Sequence, residues 1–384
     1  MVDALDEMDQ DVVQDFLHLL DQLGNSSSWR VKLIITSRPI PLIERTVRNI
    51  KVLDIRLNNE QISPDILKYL RHRVDGALPA LGNHEAIVSR VLKKADGVFL
   101  YAKLAMDHLC EHELTSHQQM LDVIDKAPLN LSMMYGNLIR EHMERTGLPK
   151  GLNILVLQLV THASRPLRLF EIADCINVIR PEYTQDIATM KSIVRTSCGP
   201  LLEVLPDEIV RVVHHSSSEY PLGLNRSPSD KDIPVFEPAH THNVVALLCL
   251  SYLQAGCLDT LEYDRRRQRK NPQMSPFMSY AATNWHVHIA KSSAQGFPQD
   301  QANEAIFSFL MTPQNSKKLA LLLRSEASDD ELFWEELSSF VNQEEGKALL
   351  IAFHLDLSSF ARYLADRIDM KTAGNIGSSR LHTP

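Results

Sequence analysis

The chain has 384 residues, 44% hydrophobic and 23% charged, which is the composition of a globular protein long enough for two or three domains. Its formal net charge of −8 removes any general electrostatic reason to bind nucleic acid or an anionic membrane, and the one basic run, DRRRQRK (264–270), is too short and isolated to change that. The five cysteines, Cys110, Cys175, Cys198, Cys249 and Cys257, lack CxxC spacing, and no stretch reaches the roughly eighteen apolar residues of a membrane span. A reduced, soluble, cytoplasmic protein without a structural zinc site is expected.

The chain opens on MVDALDEMD, an acidic cluster preceded by only two residues, so the apolar strand that ought to carry it is nearly absent and a segment upstream is expected to be missing. DVVQDFLHLLDQL (11–23) has helical spacing with Gly24 placed to end it. RVKLIITSRP reads as a buried parallel strand closed by a polar tripeptide and a proline, and IKVLDIRL (50–57) as another strand. SPDILKYLRHRV predicts a helix with Ser63 as N-cap and Pro64 at its first position. HEAIVSRVLKKA and VFLYAKLAMDHLCEH are two further helices meeting at Asp96 and Gly97.

Farther on, MMYGNLIREHMERT is helical, and NILVLQLVTHASRPLRLFEIADCINV is a helix pair broken at SRPLRLFE, the pattern of a winged helix. LLEVLPDEIVRVVHHS supplies the wing, two apolar runs about a Pro-Asp-Glu turn. GLNRSPSDKDIPVFEP (223–238) reads as an exposed loop, after which the pattern is helical again. Near the end, ALLIAFHLDLSSFARYLADR predicts a helical hairpin, read either as the start of an ankyrin repeat, with GSSRLHTP a worn form of the next turn, or as a hairpin closing the preceding domain. His286 with His288, and His240 with His242, have no carboxylate or thiol at ligand spacing and read as core or surface histidines.

Phosphate chemistry uses an aspartate at a strand end to hold Mg²⁺ and nearby acids to orient water. Asp3 suits the first role and Asp6 or Glu7 the second, although a surface acidic turn looks the same. The order VDALDE, LIITSRP, KADGVFLYAKL, LVTHASRPLRLFEIAD, CGPLLEVL, VHHSSSEY, PFMSYAATNW resembles the fungal NACHT proteins over residues 1–290, with a nephrocystin-like NACHT followed by a GPI-inositol-deacylase-like winged helix. The resemblance implies a STAND-class P-loop NTPase of the NLR-like kind. It assigns Asp3 to Mg²⁺, Asp6 and Glu7 to the catalytic acids, Arg38 to the sensor near the γ-phosphate, and His214, in the frame His-x-Ser-x-x-Glu-Tyr, to the ADP phosphate. His214 also fits a capping histidine at the hairpin's end. Phe99 stands where the family places a proline against adenine.

No GxxxxGK[ST] occurs in the chain, so the cradle and lysine that grip the β- and γ-phosphates are not among these residues. The expected fold is therefore mainly α. It comprises a partial NACHT core with the remnant of an α/β P-loop NTPase sheet (1–60), a helical domain (61–127), a winged helix (128–222), a helical linker (223–345) and the start of ankyrin-like repeats (346–384). The expected function is a regulatory scaffold without autonomous hydrolysis, binding neither ATP, ADP nor Mg²⁺ by itself. The alternative is part of a working nucleotide-dependent switch. Expected partners are proteins, through the helical and ankyrin-like region and by self-association, with no nucleic acid and no membrane.

Overall fold

The computed structural model describes residues 1–8, 10–25, 32–48, 53–77, 84–111, 116–183, 185–224, 226, 233–258, 275–312, 315–316, 318–319, 322 and 344–379. The basic run at 264–270 lies outside them. The chain divides into two units, Met1–Ala127 and Pro128–Pro384.

The first unit begins with Val2 bridged in parallel to Ile35. A 3-10 turn, Leu5–Glu7, leads to helix α1, Gln10–Asn25, and a shorter α2 spans Pro41–Val47. On α1, Val13 and Leu17 recur at helical spacing and close a small core with Leu5 and Ile43. Of the strand expected in RVKLIITSRP (30–39), only this bridge forms among the described residues 32–39, and Ile34 is 67% exposed where a buried strand was expected. The strand expected at 50–57 is absent over its described part, where residues 53–57 carry no regular structure and Leu53, Ile55 and Leu57 are exposed. Residues 50–52 lie outside the described residues. Alternation of apolar and polar residues makes a segment fit a sheet, but the ladder needs a neighbouring edge; among the described residues Val2 and Leu5 pair with Ile34 and Thr36, and none pairs with 53–57 as a strand.

Helix α3 spans Asn59–Ala77 and begins before the expected Ser63, so that Pro64 lies inside it. The start is fixed by a reciprocal cap in which Asn58 Oδ1 accepts from the Gln61 N–H (3.0 Å) and Gln61 Oε1 from the Asn58 N–H (3.1 Å). Helices α4 (His84–Ala95), α5 (Phe99–Glu111) and α6 (His117–Lys126) follow. The α4–α5 turn is made by Asp96 and Gly97, both with positive φ. Gly97 (φ +78°) also lets Asn59 approach, since a Cβ there would lie 2.2 Å from its Oδ1.

The second unit starts with α7 (Leu131–Thr146), capped by the Asn130 side chain on the Met133 N–H (2.8 Å). Then come α8 (Lys150–His162), β1 (Leu167–Arg168), α9 (Leu169–Ile179), α10 (Ile187–Cys198), β2 (Leu202–Val204) and β3 (Ile209–Val212). The expected hairpin is present, with Leu202 opposite Val212 and Val204 opposite Val210, and β1 adds to β3 to give an antiparallel sheet in the order β1-β3-β2. A short α11 (His215–Glu219) follows. The loop at 223–238 is not wholly exposed: Ile233 and Phe236 are buried, and the Phe236 N–H bonds the Pro221 carbonyl at 2.7 Å. Its apolar pair is what draws the chain back onto the protein.

Helices α12 (Pro238–Gln254) and α13 (Met278–Ala294) form the centre of the unit, packed along each other with α8, α9 and α14 (Asp300–Met311) against α12. Helices α15 (Glu344–His354) and α16 (Ser358–Ser379) form the expected hairpin, turning at Asp356 (φ +53°). Residues 377–379, expected in a turn, are the last residues of α16, and 380–384 lie outside the described residues. The described fold is mainly helical with one small three-stranded antiparallel sheet. All five cysteines are free, with Cys110 exposed and the other four buried.

Candidate functional site

In the first unit the structure brings together the acidic cluster and the TSRP segment. The Val2 N–H bonds the Ile34 carbonyl (2.9 Å), the Thr36 N–H bonds the Val2 carbonyl (3.0 Å), and the Leu5 N–H bonds the Thr36 carbonyl (2.9 Å). This pairing sets Asp3 and Asp6 beside Thr36 and Arg38. The Thr36 hydroxyl donates to Asp3 Oδ1 and accepts the Ala4 N–H at 2.9 Å, which holds Ala4 in a left-handed conformation (φ 52°, ψ 52°) unusual for a residue with a Cβ. Asp6 takes Arg38 twice, Oδ1 from the backbone N–H (2.9 Å) and Oδ2 from Nε (2.5 Å). The Asp6 side chain is only 4% exposed against 53% for Arg38. Burial pushes the Asp6 carboxyl up, and the bonds from the Arg38 side chain and backbone together outweigh it, leaving Asp6 below its ordinary value. Asp3 and Glu7 are exposed.

Asp6, expected beside an attacking water, thus serves as the anchor of Arg38, and that guanidinium is oriented by Asp6. Asp3, a hard-oxygen donor open to solvent, fits in kind a Mg²⁺ ion that keeps most of its waters. Among the described residues no group of three or more His, Cys, Asp or Glu side chains is gathered as metal ligands. A nucleotide fits less well. The N–H groups of Glu7 and Met8, on the turn after Asp3, are bonded to the carbonyls of Ala4 and Leu5, so this turn offers no phosphate nest. Phe99 stacks at a tilt on Tyr69, with ring centroids 4.9 Å apart.

In the second unit His214 is the N-cap of α11, exposed and extended, with Nδ1 accepting from the Ser216 N–H (3.1 Å) and lying 2.9 Å from Ser216 Oγ. Accepting at Nδ1 fixes the neutral imidazole as the Nε2–H tautomer. Ser216 Oγ also meets the Tyr135 hydroxyl at 2.7 Å. His215 pairs with Glu219 across one helical turn at 3.5 Å.

Thr36, Ser216 and Tyr135 escape the sequence reading because a hydroxyl that links two other groups has no spacing signature. A second missed cluster lies where α8, α12 and α13 meet: His162, His242 and His288 are buried together, with His242 Nδ1 2.9 Å from His288 Nδ1. Among the described residues no helix is long and apolar enough to cross a membrane. No family model, no curated protein and no solved structure matches the chain.

Proposed function

We propose that this chain is a NACHT-type, NLR-like signalling scaffold of the cytoplasm that works through protein contacts and does not hydrolyse nucleotide by itself. The observation that carries this reading is the Asp6–Arg38 clamp at the end of the parallel Val2–Ile35 bridge. A P-loop NTPase sets its Mg²⁺ aspartate and its sensor on neighbouring parallel strands, and the approach of the Asp3–Asp6 turn to Thr36 and Arg38 beside a parallel bridge supports that reading. The succession α8, β1, α9, α10, β2, β3 with sheet order β1-β3-β2 supports a winged helix in the second unit. A DNA-reading role is disfavoured because Lys191, on α10, is engaged by Glu208 at 2.6 Å and the net charge is −8. The lack of GxxxxGK[ST] in these residues supports the absence of autonomous hydrolysis.

Calorimetry with MgATP and MgADP tests the proposal, and no micromolar binding is expected from the chain alone. Micromolar affinity lost in Asp3→Asn would instead favour the second reading, a working nucleotide switch, which rests on the solvent-facing Asp3 beside Thr36.

A further inference from the structure

The helical centre of the second unit contains a chain of buried imidazoles. His242, on α12, lies Nδ1 to Nδ1 against His288, on α13, at 2.9 Å. His288 Nε2 meets the Tyr280 hydroxyl at 2.8 Å, and that hydroxyl accepts the Ser164 N–H at 3.0 Å. His162, at the end of α8, packs edge-on to His242 with ring centroids 5.3 Å apart, and its Nδ1 lies 2.8 Å from Thr161 Oγ1. His288 is fully buried, and His162 and His242 are 8% exposed.

A 2.9 Å contact between two ring nitrogens holds one proton. With both rings neutral, one donates and the other accepts. A first added proton places a charge in a desolvated site, and a second sets two N–H groups against each other. The charged groups around the chain do not relieve this. Lys291 on α13 repels a proton on any of the three rings, and His286 adds to that repulsion at His288. Arg165 lies over the Tyr280 ring at 5.2 Å. The carboxylates on neighbouring elements are engaged elsewhere: Glu171 on α9 by Arg165 (2.7 Å), Asp174 on α9 by the Tyr252 hydroxyl and the Phe277 N–H, and Glu304 on α14 by Arg367 (2.8 Å).

We propose that the chain His162–His242–His288 is an acid-sensitive latch, holding α8, α12 and α13 together while its rings are uncharged and releasing them when they take up protons. Burial, reinforced by the neighbouring cations, pushes His162 and His242 down to about 4 and His288 to about 3, from an ordinary 6.5. These groups are depressed in the folded state, so the unfolded chain binds more protons below the ordinary value. The stability they provide is complete above pH 6.5 and falls progressively towards the folded values of about 4 and about 3. Most of that window lies above the range in which ordinary carboxylates titrate.

Equilibrium urea unfolding of the full chain at pH 7 and pH 5 tests the latch. For His242 and His288 together, the unfolding constant should rise about five-hundredfold on acidification, and the His242→Gln/His288→Asn variant should lose that factor from its pH dependence. An equal pH dependence in variant and wild type overturns the proposal. Imidazole NMR of the wild type gives an independent reading if the variant does not fold. Resonances of His242 and His288 that stay fixed from pH 7 to pH 5 support the latch, and a midpoint near the ordinary histidine value overturns it.

Discussion

Asp6 is bonded to Arg38 through both carboxylate oxygens, and the two partners are unequally buried. Because Arg38 is half exposed, the side-chain part of the clamp is weakened by solvent, and Asp6→Asn is expected to cost only about 1 kcal/mol in denaturant unfolding. Asp6 sits below its ordinary 3.8, so its contribution is present at neutral pH and is lost as the pH falls through that lowered value. The protection factor of the Arg38 amide, its exchange measured against the intrinsic rate at each pH, should therefore fall at the acid end in the wild type and lose this pH dependence in Asp6→Asn. At His214 the two possible roles separate by substitution. His214→Ala removes a cap and should cost about 1 kcal/mol, whereas His214→Asn keeps an N-cap acceptor and should leave stability nearly unchanged while removing the outward N–H. A loss above about 2 kcal/mol in His214→Ala would mark a larger structural role. The charged residues of the candidate site were legible in the sequence because carboxylates and arginines near a strand end are chemically conspicuous. Thr36 was not, since its importance lies in joining Asp3 to the Ala4 backbone.

Helix starts and turns show where local chemistry was decisive. Ser63-Pro64 is a standard opening pair, yet the Asn58 and Gln61 side chains close a cap upstream, and the helix continues through the proline. The β2–β3 hairpin was legible because its turn and its alternating apolar residues lie within one short stretch. The strand expected at 50–57 depended on a partner edge that no local pattern reports. Gly97→Ala should destabilise the α4–α5 turn by about 2 kcal/mol, combining left-handed strain with the collision at Asn59. Gly147 has φ +62° and a Cβ added there would meet nothing within 4 Å, so Gly147→Ala should show the backbone part alone, about 1 kcal/mol. Thermal unfolding of both variants checks the difference.

Over the whole molecule, exposed apolar residues without regular structure at 53–57 contrast with the paired β2–β3 hairpin and the densely packed α12 and α13. Limited proteolysis is expected to cut between residues 53 and 58 before it cuts within β2, β3, α12 or α13. Equal protection of 53–57 and the hairpin would show that the first segment is held in some other way. The sequence conveyed a mainly helical molecule with a small hairpin because helical periodicity and turn chemistry are local. It did not convey the imidazole chain, because His242 and His288 are 46 positions apart and become neighbours only when α12 and α13 pack.

The buried thiols give the molecule a built-in clock. Cys249 lies about two turns along α12 from His242, fully enclosed, and burial raises its thiol well above the ordinary value. A thiol reagent can reach it only during an opening of that helix, whereas Cys110 is accessible in the closed state. Under native conditions the labelling rate of Cys249 relative to Cys110 thus measures the fraction of time the centre of the second unit is open while reclosing is faster than labelling, and at high reagent concentration the Cys249 rate levels off at the opening rate itself.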